Sequence, residues 1–410
     1  MASNVHIAGT GVVSAIGMNL AENLLSLAAG RTGIGPIRQL QTVHQTDFPS
    51  GEIPLSNAEL QQRCGWEDKR PQSRTALLGK LAAMEALSTL PLQRNGRESG
   101  GGKPGFRSAF ISATSVAGMD LTEDFFPPFL QQASAGRLQQ VVNHECGAIT
   151  HAIAGSLGVN WDYCTTISTA CSSAANAIML GARLIKAGKM DMVLAGGTDA
   201  LSRFTLNGFN TLMILDHQLC QPFDQQRRGL NLGEGAGYLL LVNDAVKERF
   251  GLTSQVRVTG YANANDAHHQ TASSPDGAGS FLAMQGALAV SQLQPADIQY
   301  INLHGTGTQN NDASESAAIR RLFTNGLPRL STTKGFTGHT LAACGAIEAA
   351  YSVASLERQC LYPGLRITQP VIEEPGVMVN SFEEGVALKN ILSNSFGFGG
   401  NCSSLIFSLS

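Results

Sequence analysis

Apolar and polar positions along this chain fall into short blocks separated by glycine-rich turns. Val5–Ala8, Arg107–Ile111 and Thr165–Thr169 read as short strands. Met192–Ala195 and Tyr238–Val242 are apolar throughout, as strands buried on both faces are. Ala76–Leu90 carries Ala and Leu at helical spacing and predicts a buried helix. Gly96–Gly105, with five glycines and a proline, predicts a surface loop. Ser172–Ala187 predicts a long helix closed by Gly188 at C′, and Asn243–Phe250 a short one. The pattern then restarts. Gln255–Gly260 reads as a strand, Gly279–Gln292 as a helix, and Ile298–Leu303 as a strand running into His304. Ala342–Leu356 is helical, and Ile391–Asn394 leads into a glycine-rich hairpin before Ser404–Ser408. The expectation is an α/β chain of two halves, 1–250 and 251–410, joined near 243–254, each a sheet covered by helices. The halves share too little identity to be read as a repeat.

Composition narrows the setting. Only 14% of residues are charged while 43% are hydrophobic, which implies extensive buried surface in a large core, an oligomer interface or both. A net charge of −3 supplies no bulk attraction to nucleic acid. The sequence shows no secretory signal pattern and no apolar run of the roughly 18 residues that a spanning helix needs. Eight cysteines without a Cys-x-x-Cys pair read as reduced, mostly buried thiols, and the expected location is cytoplasmic.

Two patterns mislead. Gly9-Thr10-Gly11 resembles the start of a dinucleotide fingerprint, but the third glycine and the acidic residue about 20 positions later are missing. His268-His269 lacks companion ligands at metal-site spacing, so a polar loop is the better reading.

Four segments carry chemistry. Cys171 lies between a strand and a long helix, where unpaired N–H groups and the helix dipole are expected to lower a thiol pKa. An apolar strand delivers His304 to a Gly-Thr-Gly-Thr loop whose hydroxyls, on Thr306 and Thr308, could hold an amide-rich ligand. Lys334 and His339 precede an Ala-rich helix, and a charge buried there needs a partner, for which Glu348 is the candidate. Asn394–Asn401, with aromatics alternating with glycines, predicts a tight turn whose bare N–H groups can donate to a substrate oxygen.

In this order and at these separations the segments resemble β-ketoacyl synthases, of the 3-oxoacyl-[acyl-carrier-protein] synthase II kind. The resemblance runs from Gly9-Thr10-Gly11-Val12-Val13-Ser14 through Gly233-Glu234-Gly235-Ala236-Gly237 to Phe396-Gly397-Phe398-Gly399-Gly400. It implies the thiolase fold, two duplicated α/β halves in a five-layer α-β-α-β-α arrangement. It implies condensation of an acyl group on Cys171 with malonyl-[acyl-carrier protein], in fatty-acid, polyketide or polyene elongation. By the same resemblance, His304 and His339 promote decarboxylation, while Lys334 and Glu348 support them. The Phe398 and Cys171 N–H groups form the oxyanion hole, and the Phe398 side chain gates the nucleophile. Thr306 and Thr308 contact the phosphopantetheine arm. No metal or cofactor is implied, the substrates being carried on the phosphopantetheine of acyl-carrier protein. That protein is the implied partner, its docking mouth flanked by segments bearing Lys69, Arg70, Arg74, Arg203, Arg227 and Arg228. A homodimer is implied, with a heterodimer containing a cysteine-lacking chain-length subunit as the alternative.

Three departures from the family pattern point to a specialised pathway. Asn401-Cys402 stands where Thr-Asn is usual, Gln309-Asn310-Asn311 follows Thr308, and Asn143–Gly147 is unusual near the expected acyl pocket. A degradative thiolase would show Cys-x-Gly near the C-terminus, which is absent, and a silent partner subunit would lack Cys171.

Overall fold

The described residues form twelve strands: β1 (His6–Ser14), β2 (Ser108–Ala113), β3 (Tyr163–Ile167), β4 (Met192–Asp199), β5 (Gly235–Val242), β6 (Val256–Asn265), β7 (Tyr300–Asn302), β8 (Arg329–Ser331), β9 (Cys360–Leu361), β10 (Glu383–Glu384), β11 (Asn390–Gly397) and β12 (Asn401–Leu409). They belong to a computed structural model that describes residues 3–67, 70–90 and 105–410. The expected loop Gly96–Gly105, apart from Gly105, and Lys69 fall outside the described residues.

Ten strands run in the order β3-β2-β4-β5-β1-β6-β12-β11-β7-β8, and β9 and β10 form a separate pair. The order hides a duplication. Reading outward from the centre, β1-β5-β4-β2-β3 and β6-β12-β11-β7-β8 share one pattern of two antiparallel and then two parallel pairings. Within the sheet the halves join at His6–Arg257, where Val258 N also donates to Val5 O.

Residues alternating along β4 and β5 feed different cores, as a two-residue period requires. Val193, Ala195, Leu239 and Leu241 join the core between the two halves. Met192, Leu194, Tyr238, Leu240 and Val242 join the outer core under the Arg74–Leu87 and Cys146–Ser156 helices. On the far side, the Ala278–Ser291 and Gln309–Leu322 helices cover the second half around Met284, Ile301, Ile319 and Ile406. Helices Ser173–Lys186 and Cys344–Arg358 fill the middle layer, their small residues touching strands of both halves. The result is the five-layer thiolase fold.

Boundaries moved where packing overrode pattern. β1 extends through Gly9 and Gly11, where a Cβ would lie 2.2 Å from Ala86 O and 2.0 Å from Ala82 O. These glycines let the Arg74–Leu87 helix press on the strand, which accounts for the false dinucleotide pattern. Gly188 closes the Ser173–Lys186 helix at φ +63°. No helix among the described residues is long and apolar enough to cross a membrane. All eight cysteines are free, and six of them are buried.

Candidate active site

The nucleophile candidate sits on a strained turn between β3 and the Ser173–Lys186 helix. Ala170 adopts φ +50°, costing about 1–2 kcal/mol for a residue with a Cβ. Hydroxyls hold that turn: Ser173 Oγ donates to Ala170 O and accepts from Thr169 N (2.7 Å), and Ser172 Oγ donates to Thr169 O (2.7 Å). Cys171 thereby enters the floor of a cavity of about 380 Å³.

β7 leads through Leu303 to His304, and the first two turns of the Gln309–Leu322 helix fold its carboxylates back beneath that loop. Glu315 accepts from His304 N and Gly305 N, both at 2.9 Å, and from Asn394 Nδ2 at 3.1 Å. Asp312 accepts from Thr306 N at 3.0 Å, while the Thr306 and Thr308 hydroxyls bond each other at 2.9 Å. His339 is fixed by its own backbone, which donates to Asn231 O and accepts from Gly233 N.

These elements bring Cys171, His304 and His339 together, with donor atoms all within 4.8 Å of one another. His339 Nε2 lies 3.0 Å from Cys171 Sγ, and the two imidazoles meet edge to face at 5.4 Å between centroids. Behind them, Lys334 Nζ donates to Glu348 Oε1 and to His304 O, each at 2.5 Å, and lies 3.3 Å from His304 Nδ1. An ammonium has only donors, so His304 Nδ1 accepts and the ring carries its proton on Nε2, toward the cavity.

The electrostatics correct one expectation. Burial pushes the Cys171 thiol up to about 12, outweighing the Lys334 charge and the N–H groups of Phe398 and Cys171 that face Sγ. The resting group is therefore a thiol, not the helix-stabilised thiolate, because desolvating the anion costs more than the helix N-terminus returns. Burial also holds His304 and His339 well below the usual imidazole range, reinforced at both by Lys334 and at His304 by His339. Burial alone would depress Lys334, but the adjacent Glu348 carboxylate holds it up and charged. A divalent cation could reach Cys171, His304 and His339, or His304, Cys344 and Glu348, but only against the Lys334 ammonium. His268 and His269 join no such cluster among the described residues.

The Phe396–Asn401 turn approaches Cys171 closely. A Cβ on Gly397 would lie 2.9 Å from Thr169 O and 3.1 Å from Cys171 N. The Phe398 ring stacks on Phe209 at 5.7 Å, above the cavity that both line. Asn401 Oδ1 accepts from Asn176 Nδ2 and Asn263 Nδ2, so the departure from Thr-Asn anchors the turn to the middle helix. Asn143–Gly147 forms the entry to the Cys146–Ser156 helix, where Asn143 O accepts from Gly118 N at 2.9 Å.

Sequence reasoning missed the anchoring carboxylates Asp312 and Glu315 and the stacking Phe209. The i, i+3 spacing of Asp312 and Glu315 was the available signal, since it puts both on one helix face under the His304 loop. The basic mouth is also revised. Arg74 is buried against Glu234 at 2.6 Å, and Arg227 turns inward to Thr308 O and Gln309 O. Arg203 is held by Glu123 and Asp124. Of these arginines, Arg228 lines the cavity.

Comparison with known proteins agrees with the geometry. Residues 115–246 match the family profile "Beta-ketoacyl synthase, N-terminal domain", and residues 256–368 match "Beta-ketoacyl synthase, C-terminal domain". The chain is 30% identical to a 3-oxoacyl-[acyl-carrier-protein] synthase 2 of Synechocystis sp., covering 98% of this chain and 97% of that one. It is 29% identical, at the same coverage, to the protein of that name from Staphylococcus aureus. Among solved structures it is similar to a ketosynthase in complex with its chain length factor from Xenorhabdus doucetiae (TM-score 0.81, 31% identity, 100% and 98% coverage). It is also similar to the ishigamide ketosynthase/chain length factor (TM-score 0.90, 26% identity, 100% of both chains).

Proposed function

Because this chain belongs to the β-ketoacyl synthase family, we propose that it condenses an acyl group held on Cys171 with malonyl-[acyl-carrier protein], releasing CO2 and 3-oxoacyl-[acyl-carrier protein]. The observation that carries this reading is the meeting of one thiol and two neutral imidazoles at the floor of a single cavity.

In the first half-reaction Cys171 Sγ attacks the acyl thioester while its proton passes to His339 Nε2, 3.0 Å away. Transfer during attack avoids a free buried thiolate. The carbonyl oxygen, gaining charge, is received by the N–H groups of Phe398 and Cys171. The carrier thiolate departs and takes the proton from His339. In the second half-reaction the malonyl C–C bond to the carboxylate breaks, CO2 leaves, and the electron pair forms an enolate. Its oxygen lies against His304 Nε2–H, a donor that Lys334 holds in place, and against His339 once that ring, whose Nδ1 has no partner among the described residues, has moved its proton from Nδ1 to Nε2. The enolate carbon then attacks the acyl carbon, and the Cys171 thiolate leaves and takes from solvent the one proton that the overall condensation consumes. The sequence is redox-neutral, so it calls for no electron-carrying cofactor. The location proposed for this work, on carrier-borne substrates, is the cytoplasm.

The partner we propose for the open edge of β3 is a second chain of this fold. Tyr163 on that edge is 41% exposed, and nearby in sequence Phe126, Leu130, Leu138 and Val142 are each more than half exposed. The ketosynthase/chain length factor assemblies among the similar structures support a paired arrangement in elongating fatty-acid, polyketide or polyene chains.

The test is intact-mass analysis of wild type and Cys171→Ala after mixing with acyl-carrier protein. The wild type should gain one acyl group, which C171A should lack. Continued acylation of C171A at another cysteine would refute the assignment.

A further inference from the structure

The cavity that reaches Cys171 is lined almost entirely by neutral groups. Among its described lining residues, Arg228 alone carries a permanent charge. Floor and rim differ: Cys171, His304 and His339 are buried, whereas the Arg228 side chain is 50% exposed. The Thr306 and Thr308 hydroxyls line the same cavity.

Arg228 is anchored at one end and open at the other. Its Nη2 donates to Gln218 Oε1 at 2.9 Å and pairs with Asp216 Oδ1 at 3.2 Å. Asp216 is itself buried and further fixed by Gln218 N at 2.9 Å. Nε and Nη1 have no hydrogen-bond partner among the described residues, in contrast to Arg227, whose Nε, Nη1 and Nη2 all donate to backbone carbonyls. A guanidinium held through Nη2 still offers Nε–H on one edge and Nη1–H on another, so an oxyanion can take a charge-assisted hydrogen bond from an open edge.

We infer that Arg228 receives the phosphate ester at the far end of the pantetheine arm when the thioester lies at Cys171. The inference rests on the condensing activity proposed above and assigns the arm's one anionic group to the cavity's one permanent charge. The neutral amides of the arm then run along the Thr306 and Thr308 hydroxyls, and the phosphate sets how deep the thioester sits. Arg228 is thus a specificity residue for phosphorylated carriers of the acyl group, not a catalytic one.

The experiment compares kcat/KM for condensation with hexanoyl thioesters of pantetheine, of phosphopantetheine and of acyl-carrier protein, in wild type, Arg228→Gln and Arg228→Lys. A charge-assisted hydrogen bond predicts a wild-type preference for phosphopantetheine over pantetheine of about tenfold or more. R228Q should lose that preference, and R228K should keep part of it. Because the readout is a ratio, damage from leaving Asp216 unpaired lowers both numbers and cancels. Equal use of pantetheine and phosphopantetheine thioesters by wild type overturns the inference. So does a preference that survives in R228Q, or a loss in R228Q seen only with the carrier protein, which would place Arg228 against the protein surface instead. A wild type that condenses none of the three thioesters overturns the underlying activity.

Discussion

Lys334→Met separates what the buried ion pair does for stability from what it does for chemistry. In the native protein Lys334 Nζ donates to Glu348 Oε1 at 2.5 Å, and both side chains are 2% exposed. Removing one member of such a pair leaves an uncompensated charge, at a cost of about 3–5 kcal/mol. Glu348 can relieve part of this by taking a proton, since burial already pushes its carboxyl up to about 7. The destabilisation of K334M should therefore be smaller at pH 6 than at pH 8. The double variant Lys334→Met/Glu348→Leu removes both charges and should return to within about 2 kcal/mol of wild type, because replacing a whole buried pair with apolar groups is often neutral. Activity should not return. Without Lys334 nothing fixes the proton of His304 on Nε2, and losing one donor to a developing oxyanion costs about 10²–10³ in rate. Urea unfolding at the two pH values measures the first effect, and CO2 release from malonyl carrier protein the second. A double variant that recovers both stability and decarboxylation would refute the tautomer argument and leave Lys334 a purely structural residue.

The two histidines should divide differently between the half-reactions. His304→Ala should still be acylated on Cys171 while decarboxylation falls about 10²-fold or more, whereas His339→Ala should slow both steps, because its Nε2 faces the thiol; mass spectrometry and CO2 release check each, and fast acylation of H339A would overturn the proton-transfer role. Decarboxylation should hold steady as pH falls through 6.5, since both imidazoles titrate well below that value and stay neutral. Stability should move the other way over the same window: the unfolded histidines take up protons below about 6.5 and the folded ones do not, so these groups withdraw stability as pH falls. A decarboxylation profile that drops with an apparent pKa near 6.5 would contradict the burial argument. Gly397→Ala, whose Cβ would meet Thr169 O at 2.9 Å, should displace the Phe398 N–H and cut kcat about 10-fold or more, with wild-type kcat as the refuting result. Light scattering of the protein expressed alone should give an active species of twice 43.2 kDa, while an inactive protein rescued by a cysteine-lacking sibling would replace the homodimer with a heterodimer.

The sequence by itself determined the elements whose signal is local. Apolar runs such as Tyr238–Val242 announced strands buried on both faces, and Gly188 announced a helix end, because burial and left-handed backbone each leave a mark within a few residues. The Cys171, His304, Lys334 and His339 segments were legible for a different reason: each alone reads as well as buried structure, and only their order and separation carry the resemblance to β-ketoacyl synthases. The Gln309–Leu322 helix was not legible, because its buried face carries Asp312 and Glu315 instead of an apolar stripe, and their partners are backbone N–H groups of the preceding loop. Gly9 and Gly11 could be refused as a nucleotide loop from the sequence, but what they do instead needed the helix packed against them to be in view. The state of the nucleophile belonged to the tertiary structure alone. A helix N-terminus is visible in a sequence, but the depth at which Sγ is buried is set by the His304 and His339 loops, the Gly397 turn and Cys344 closing around it. Desolvation by distant segments then outweighs the local dipole, and the thiol keeps its proton until His339 takes it.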